Sequence, residues 1–235
     1  MCASPRALGV TVDGGYASHV LIPHPRYLLD VQGIAAETAG PLMCSGLTGY
    51  GAVKKALPYL RLGPLLIVGL GGVGMMGLQF ARALTEEKIF VADIDGAKRD
   101  AALALGATAA FDPTNEDVRK AIAKASGGIG AAVDFVGSER SLNFAHATLT
   151  KGGAAIVVGL FGGGLSMPVP MFPLRALTIT GSYVGSLAEA HEMLGLVKAG
   201  RVAPIPIALR PLDQAGRALD DLREGKIVGR VVITP

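Results

Sequence analysis

The stretch Gly69-Leu70-Gly71-Gly72-Val73-Gly74 places glycine at its first, third and sixth positions. An apolar run, Leu65-Leu66-Ile67-Val68, leads into it, and a helical pattern from Met75 to Leu84 follows. In such a strand–turn–helix unit, Gly69 allows the tight turn, Gly71 lets the backbone approach a pyrophosphate, and Gly74 lets helix and strand pack closely. The helix N-terminus offers unpaired N–H groups and a partial positive charge to the phosphates. A second apolar run, Ile89-Phe90-Val91-Ala92, ends in Asp93, 24 positions after Gly69. A carboxylate at about that spacing accepts both ribose hydroxyls and repels a 2′-phosphate, so the pattern predicts a dinucleotide site that favours NAD over NADP. Lys98 and Arg99 lie close by and are cations of the kind that hold a phosphate.

Further candidates follow from the elements that must position this turn. Apolar, β-branched runs recur at 89–94, 108–111, 131–136, 154–160 and 177–183, with helical patterns between them at 98–105, 116–125 and 140–149. Continuous apolar strands alternating with helices mean a parallel sheet covered on both faces. The expected fold is α/β: a Rossmann-type, doubly wound, six-stranded parallel sheet over residues 45–185. Ligands bind such sheets at the carboxyl edge of the strands. That edge holds Val136, Gly137, Val158, Gly159 and Leu160. Val73, apolar between Gly72 and Gly74, has little local reason to be so unless something packs on it. Arg230 sits within an otherwise apolar final strand and needs an anionic partner.

The flanks read differently. The alternation over 15–23 predicts a strand, and 41–56 predicts a linker helix. Ser186-Leu187-Ala188-Glu189 is a capping box opening a helix to Lys198. A proline-broken strand (202–209), a helix (213–224) and a last strand (227–234) complete the chain. The expected division is 1–44, 45–185 and 186–235.

Composition excludes several functions. The 235 residues carry 22 Lys+Arg against 19 Asp+Glu without a basic cluster, and aromatics make up 5% with no Trp. Nucleic acid is therefore not an expected partner. The uncharged runs between Arg61 and Arg82 and between Lys151 and Arg175 are broken by glycines and prolines, so no membrane span is expected. The first six residues lack the apolar core of a signal peptide, and two cysteines suit a reducing compartment, so a cytoplasmic protein is expected. His19, His24, His146 and His191 form no ligand pair at helical or turn spacing.

Five stretches together resemble the medium-chain, zinc-type alcohol dehydrogenases. They are Asp13-Gly14-Gly15-Tyr16-Ala17, Cys44 through Ala52, Gly69–Gly74 with Asp93, Gly181-Ser182-Tyr183-Val184-Gly185, and Gly225 through Arg230. The resemblance implies hydride transfer between an alcohol or carbonyl substrate and NAD. It implies that the chain is the cofactor portion, flanked by remnants of a GroES-like β-rich catalytic domain. It places Thr48 and Val73 beside the nicotinamide, Thr48 in a catalytic role, Lys98 at the adenosine end and Arg230 on the pyrophosphate. Cys44 matches a catalytic-zinc ligand and Cys2 a structural-zinc ligand. A catalytic zinc needs three ligands plus an open position and a structural one needs four. One cysteine of each set makes neither, so zinc requires donors from outside this chain and the isolated chain is expected to be inactive. The family also pairs through the strand matching 177–183, which implies a homo-oligomer. Two alternatives stay open: a non-catalytic NAD-binding fragment or interaction module, and a zinc-free quinone or enoyl reductase of the same superfamily.

Overall fold

The computed structural model describes residues 6–234 and divides after Gln32 into two compact units. In the first unit, the described residues hold a single 3₁₀ turn (Pro25–Tyr27) and an isolated bridge between Leu8 and Val12. The strand expected over 15–23 does not form. Tyr16 and Leu21 are 85% and 87% exposed, and the described residues of this unit hold no strand to supply a ladder for the backbone. Alternation marks a side of a strand and does not create the partner a strand needs.

The second unit begins with helix α1 (Ala36–Pro41), a π-helical turn (Leu42–Gly46) and helix α2 (Leu47–Ala56). The expected single helix over 41–56 is thus interrupted by the wider turn that carries Cys44. Six strands follow: β1 (Leu65–Val68), β2 (Ile89–Ala92), β3 (Ala109–Phe111), β4 (Ile129–Asp134), β5 (Leu149–Val157) and β6 (Thr178–Gly181). Between them run α3 (Gly72–Leu84), α4 (Gly96–Ala104), α5 (Val118–Ser126), α6 (Glu139–Thr148) and the short α7 (Met171–Arg175). The strand order is β3-β2-β1-β4-β5-β6 and every pairing is parallel. This is the expected doubly wound sheet.

Strands β1, β2 and β4 are buried along their whole length, as two covered faces require. Leu66, Val68, Phe90, Ala132 and Ala155 share one core with Val118 and Ile122 of α5 and Ala145 of α6. Leu65 and Ile67 point to the opposite face, on the side of α2 and α3. Those two helices touch backbone to backbone: a Cβ on Gly49 would meet Gly77 N at 2.8 Å. Gly77 is in turn pressed on the Phe135 ring, which a Cβ there would meet at 2.7 Å.

Helix α8 (Leu187–Lys198) opens on the expected Ser186–Glu189 capping box. It is tied to α2 by Tyr50 Oη donating to Glu192 at 2.7 Å and by Lys54 Nζ at 2.6 Å. The chain closes with β7 (Ile207–Pro211), α9 (Ala215–Arg223) and β8 (Arg230–Thr234), the two strands forming a separate parallel pair. Strand β7 starts later than expected because Pro204 and Pro206 have no N–H to give a ladder. No helix among the described residues is long and apolar enough to cross a membrane.

Candidate functional site

Strands β1 and β4 are neighbours, while β2 and β3 extend the sheet one way and β5 and β6 the other. The carboxyl ends come level across this reversal: Val68 pairs with Ala92 and Asp134, Asp134 with Val157, and Val157 with Gly181. A crevice at such a point is where open parallel sheets take ligands. The glycine turn lies at its centre. Gly69 has φ +87°, and a Cβ there would meet Val136 Cγ2 at 2.6 Å. A Cβ on Gly74 would overlap the Gly69 carbonyl, whose carbon lies at 2.9 Å. At Gly71 a Cβ would meet nothing within 4 Å, so that side of the turn is open. Gly71 is the N-cap of α3 and no side chain caps the helix, which leaves its first N–H groups available to an anion.

Asp93 projects from the end of β2 and joins the two turns. Its Oδ2 accepts the Leu70 N–H at 2.6 Å and its Oδ1 accepts the Asp95 N–H at 2.9 Å. An ionised carboxylate has about four acceptor sites, so capacity remains for a ribose diol. The neighbouring cations are committed. Arg99 donates to the Asp93 carbonyl at 2.7 Å and faces Asp112 at 3.4 Å, and Lys98 lies 3.6 Å from Asp95.

Arg230, the first residue of β8, lies directly over Gly72, where a Cβ would meet the guanidinium carbon at 2.7 Å. Its Nε is buried without a hydrogen-bond partner. Burial lowers its pKa from the ordinary value, while Cys44 in the π-turn lies close enough to oppose that shift electrostatically. A cation in need of an anion thus stands beside the uncapped N-terminus of α3. Thr48 and Val73 are each half-buried in the first turns of α2 and α3, the two helices that meet at Gly49 and Gly77.

The other wall consists of two loops. Val136 and Gly137 follow β4, and Val158, Gly159 and Leu160 follow β5. Gly137 has φ +70°, and a Cβ on it would overlap Gly159. Leu160 is 83% exposed at the rim. Sequence reasoning missed Asp134, whose fully buried carboxylate holds this wall. Its Oδ1 accepts the N–H groups of Val136 at 2.9 Å and Gly137 at 3.1 Å, and its Oδ2 accepts Ser141 Oγ at 2.8 Å. Burial raises its pKa, and these hydrogen bonds oppose the rise. The signal was an acid inside an otherwise apolar strand.

A family model described as zinc-binding dehydrogenase matches residues 72–199. The NAD-dependent alcohol dehydrogenase of Sulfurisphaera tokodaii is 36% identical, over all of this chain and 68% of that protein. The chain belongs to the zinc-binding dehydrogenase family. Another relative, the D-arabinose 1-dehydrogenase (NADP(+)) of Saccharolobus solfataricus, is 32% identical over all of the chain and 68% of that enzyme. The crystal structure of the Aeropyrum pernix alcohol dehydrogenase superposes with a TM-score of 0.85 at 29% identity, covering 98% of this chain and 68% of that one. The chain therefore spans about two thirds of the length of these relatives.

The family name raises the question of the metal. Among the described residues of this zinc-binding dehydrogenase, no group of three or more His, Cys, Asp or Glu side chains gathers as a metal site. Cys44 is an exposed thiol with Arg230 as its charged neighbour. Cys2 lies outside the described residues. The donors described do not fit a zinc site.

Proposed function

We propose that this chain binds NAD across the β1–β4 crevice and forms the cofactor-binding portion of an NAD-dependent alcohol dehydrogenase. The observation that carries the reading is Arg230: a buried, unpartnered guanidinium Nε laid over Gly72 at the N-terminus of α3. A pyrophosphate supplies the missing acceptor, and the free N–H groups of the helix supply the rest of the cradle. Bound NAD supplies a hydride acceptor for the carbon of an alcohol.

The chain's own residues bind and orient. Gly69, Gly71, Gly72 and Gly74 admit the pyrophosphate to the backbone. Asp93 accepts the ribose hydroxyls, with Lys98 beside the adenosine end. Val136, Gly137, Val158, Gly159 and Leu160 line the far wall, while Val73 and the Thr48 hydroxyl stand toward the nicotinamide and the substrate. Because Lys98 and Arg99 already face carboxylates or carbonyls, neither is free to claim a 2′-phosphate, which favours NAD over NADP. The described residues do not fit zinc. Cys44 becomes a ligand only where other donors are brought to it. An alcohol or carbonyl substrate, a cytoplasmic setting and pairing through the edge strand β6 belong to the same reading.

The test is titration of the purified chain with NADH and NADPH, followed by nicotinamide fluorescence. Saturable binding with one NADH per chain, tighter than NADPH, is expected. Absence of saturable binding overturns the reading.

A further inference from the structure

We infer that Asp134 is a positioning residue for the cofactor site, acting through the backbone of Val136 and Gly137 without touching the cofactor. The inference rests on the NAD reading above. Strand β4 is central, and its other five residues are apolar or glycine. A carboxylate buried there costs several kcal/mol unless donors satisfy it. The donors are the two N–H groups of the loop after β4 and the Ser141 hydroxyl. The main-chain carbonyl of the same residue accepts the N–H groups of Val158 at 2.9 Å and Gly159 at 3.1 Å. One residue therefore fixes both loops of the far wall.

Those loops leave no slack. Gly137 holds a left-handed conformation against Gly159, and the two chains run on together with Phe161 N–H donating to Val136 O at 3.2 Å and Gly162 N–H to Gly137 O at 3.0 Å. Without the Asp134 side chain, the two N–H groups lose their acceptor and the loop loses its reason to turn at Gly137. An amide suffices for this work. The Oδ1 of Asn accepts both N–H groups and its Nδ2 donates to Ser141 Oγ, which keeps the Ser138 N–H as its second donor and turns its own proton to Ser138 O, 3.0 Å away, while the Ser138 hydroxyl proton turns away from Ser141.

The experiment compares wild type, Asp134→Asn, Asp134→Ala and, should the alanine variant not fold, Asp134→Ser. NADH affinity and hydrogen exchange over the peptide containing Val136 and Gly137 are measured on each. Ala or Ser should weaken NADH binding about tenfold and raise exchange at these two amides about tenfold, as expected for unsatisfied buried N–H groups. Asn should stay within about threefold of wild type on both readouts, a rescue that a general need for buried charge would not give. An Ala or Ser variant with unchanged binding and exchange overturns the inference, as does an Asn variant as damaged as Ala. If wild type binds no NADH, the NAD reading has failed and the exchange data decide on Asp134 alone. Unchanged protection in the truncated variant then rejects it.

Discussion

Replacing Arg230 with Met should move affinity and stability in opposite directions. The substitution keeps a long unbranched side chain over Gly72 and removes the guanidinium. In the free chain the Nε is buried without a partner, and exchanging such a group for an apolar one of similar volume is neutral to stabilising. A gain of about 1 kcal/mol is expected, about 2–4 °C in Tm for a chain of this size. In the complex, the guanidinium makes charge-assisted hydrogen bonds to the pyrophosphate, worth about 1.5–3 kcal/mol. Losing them weakens NAD binding about 10- to 150-fold. Calorimetric titration gives the affinity and thermal unfolding without ligand gives the stability. A Met variant that binds NAD within a factor of two of wild type, or melts below it, refutes the reasoning.

Asp93→Ala should weaken NAD binding and narrow the preference over NADP without making NADP tight. The Leu70 N–H that the carboxylate holds at 2.6 Å loses its acceptor and the glycine turn loosens for both cofactors; a variant that gains absolute NADP affinity in competition titrations contradicts this. Gly74→Ala should cost about 1–3 kcal/mol in urea unfolding because its Cβ overlaps the Gly69 carbonyl. Gly71→Ala, whose Cβ meets nothing within 4 Å, should leave the fold within about 0.5 kcal/mol of wild type and still impair NAD binding. Equal stability losses in the two would show that the turn is not built as described. His146 is held below its ordinary pKa of 6.5, first by burial and then by Arg175. Protonation then favours the unfolded chain, so the contribution of neutral His146 is complete above about pH 6.5 and falls as the pH drops below that value. Urea unfolding across pH 5–7 should show this slope flatten in His146→Gln, and an unchanged slope would assign it to other groups.

Periodicity made the sheet legible because each buried strand is apolar on both faces, and Gly69 and Gly74 of the turn answer to steric demands within the chain. Asp93 and Arg230 were legible for the same reason: a charge beside or within an apolar strand must have a use. Asp134 obeys that logic too, yet a run of strand-like residues hid it. Contacts made at a distance were not legible. The alternation over 15–23 said nothing about whether a partner strand lies alongside. Pro168, Pro170 and Pro173 read as breakers of a spanning helix, and none forms among the described residues; what was not legible is the short α7, with Pro170 at its N-cap position and Pro173 in its first turn, where a missing N–H costs nothing. The π-turn at Leu42–Gly46 leaves the apolar pattern unbroken and shows only in the backbone.

The close approach of α2 and α3 has a consequence for how such an enzyme adapts. At Gly49 and Gly77 the two backbones touch with no side chain between them to absorb a displacement, and the Tyr50 ring set edge-on to Phe80 couples the helices further along. A mutation that tilts α2 to reshape the surroundings of Thr48 therefore drags α3, and with it the turn from Gly69 to Gly74. Selection for a new alcohol and selection for cofactor affinity are then not separate dials. Variants evolved for altered substrate range should carry correlated changes in the dissociation constant for NAD, in proportion to how far they shift α2.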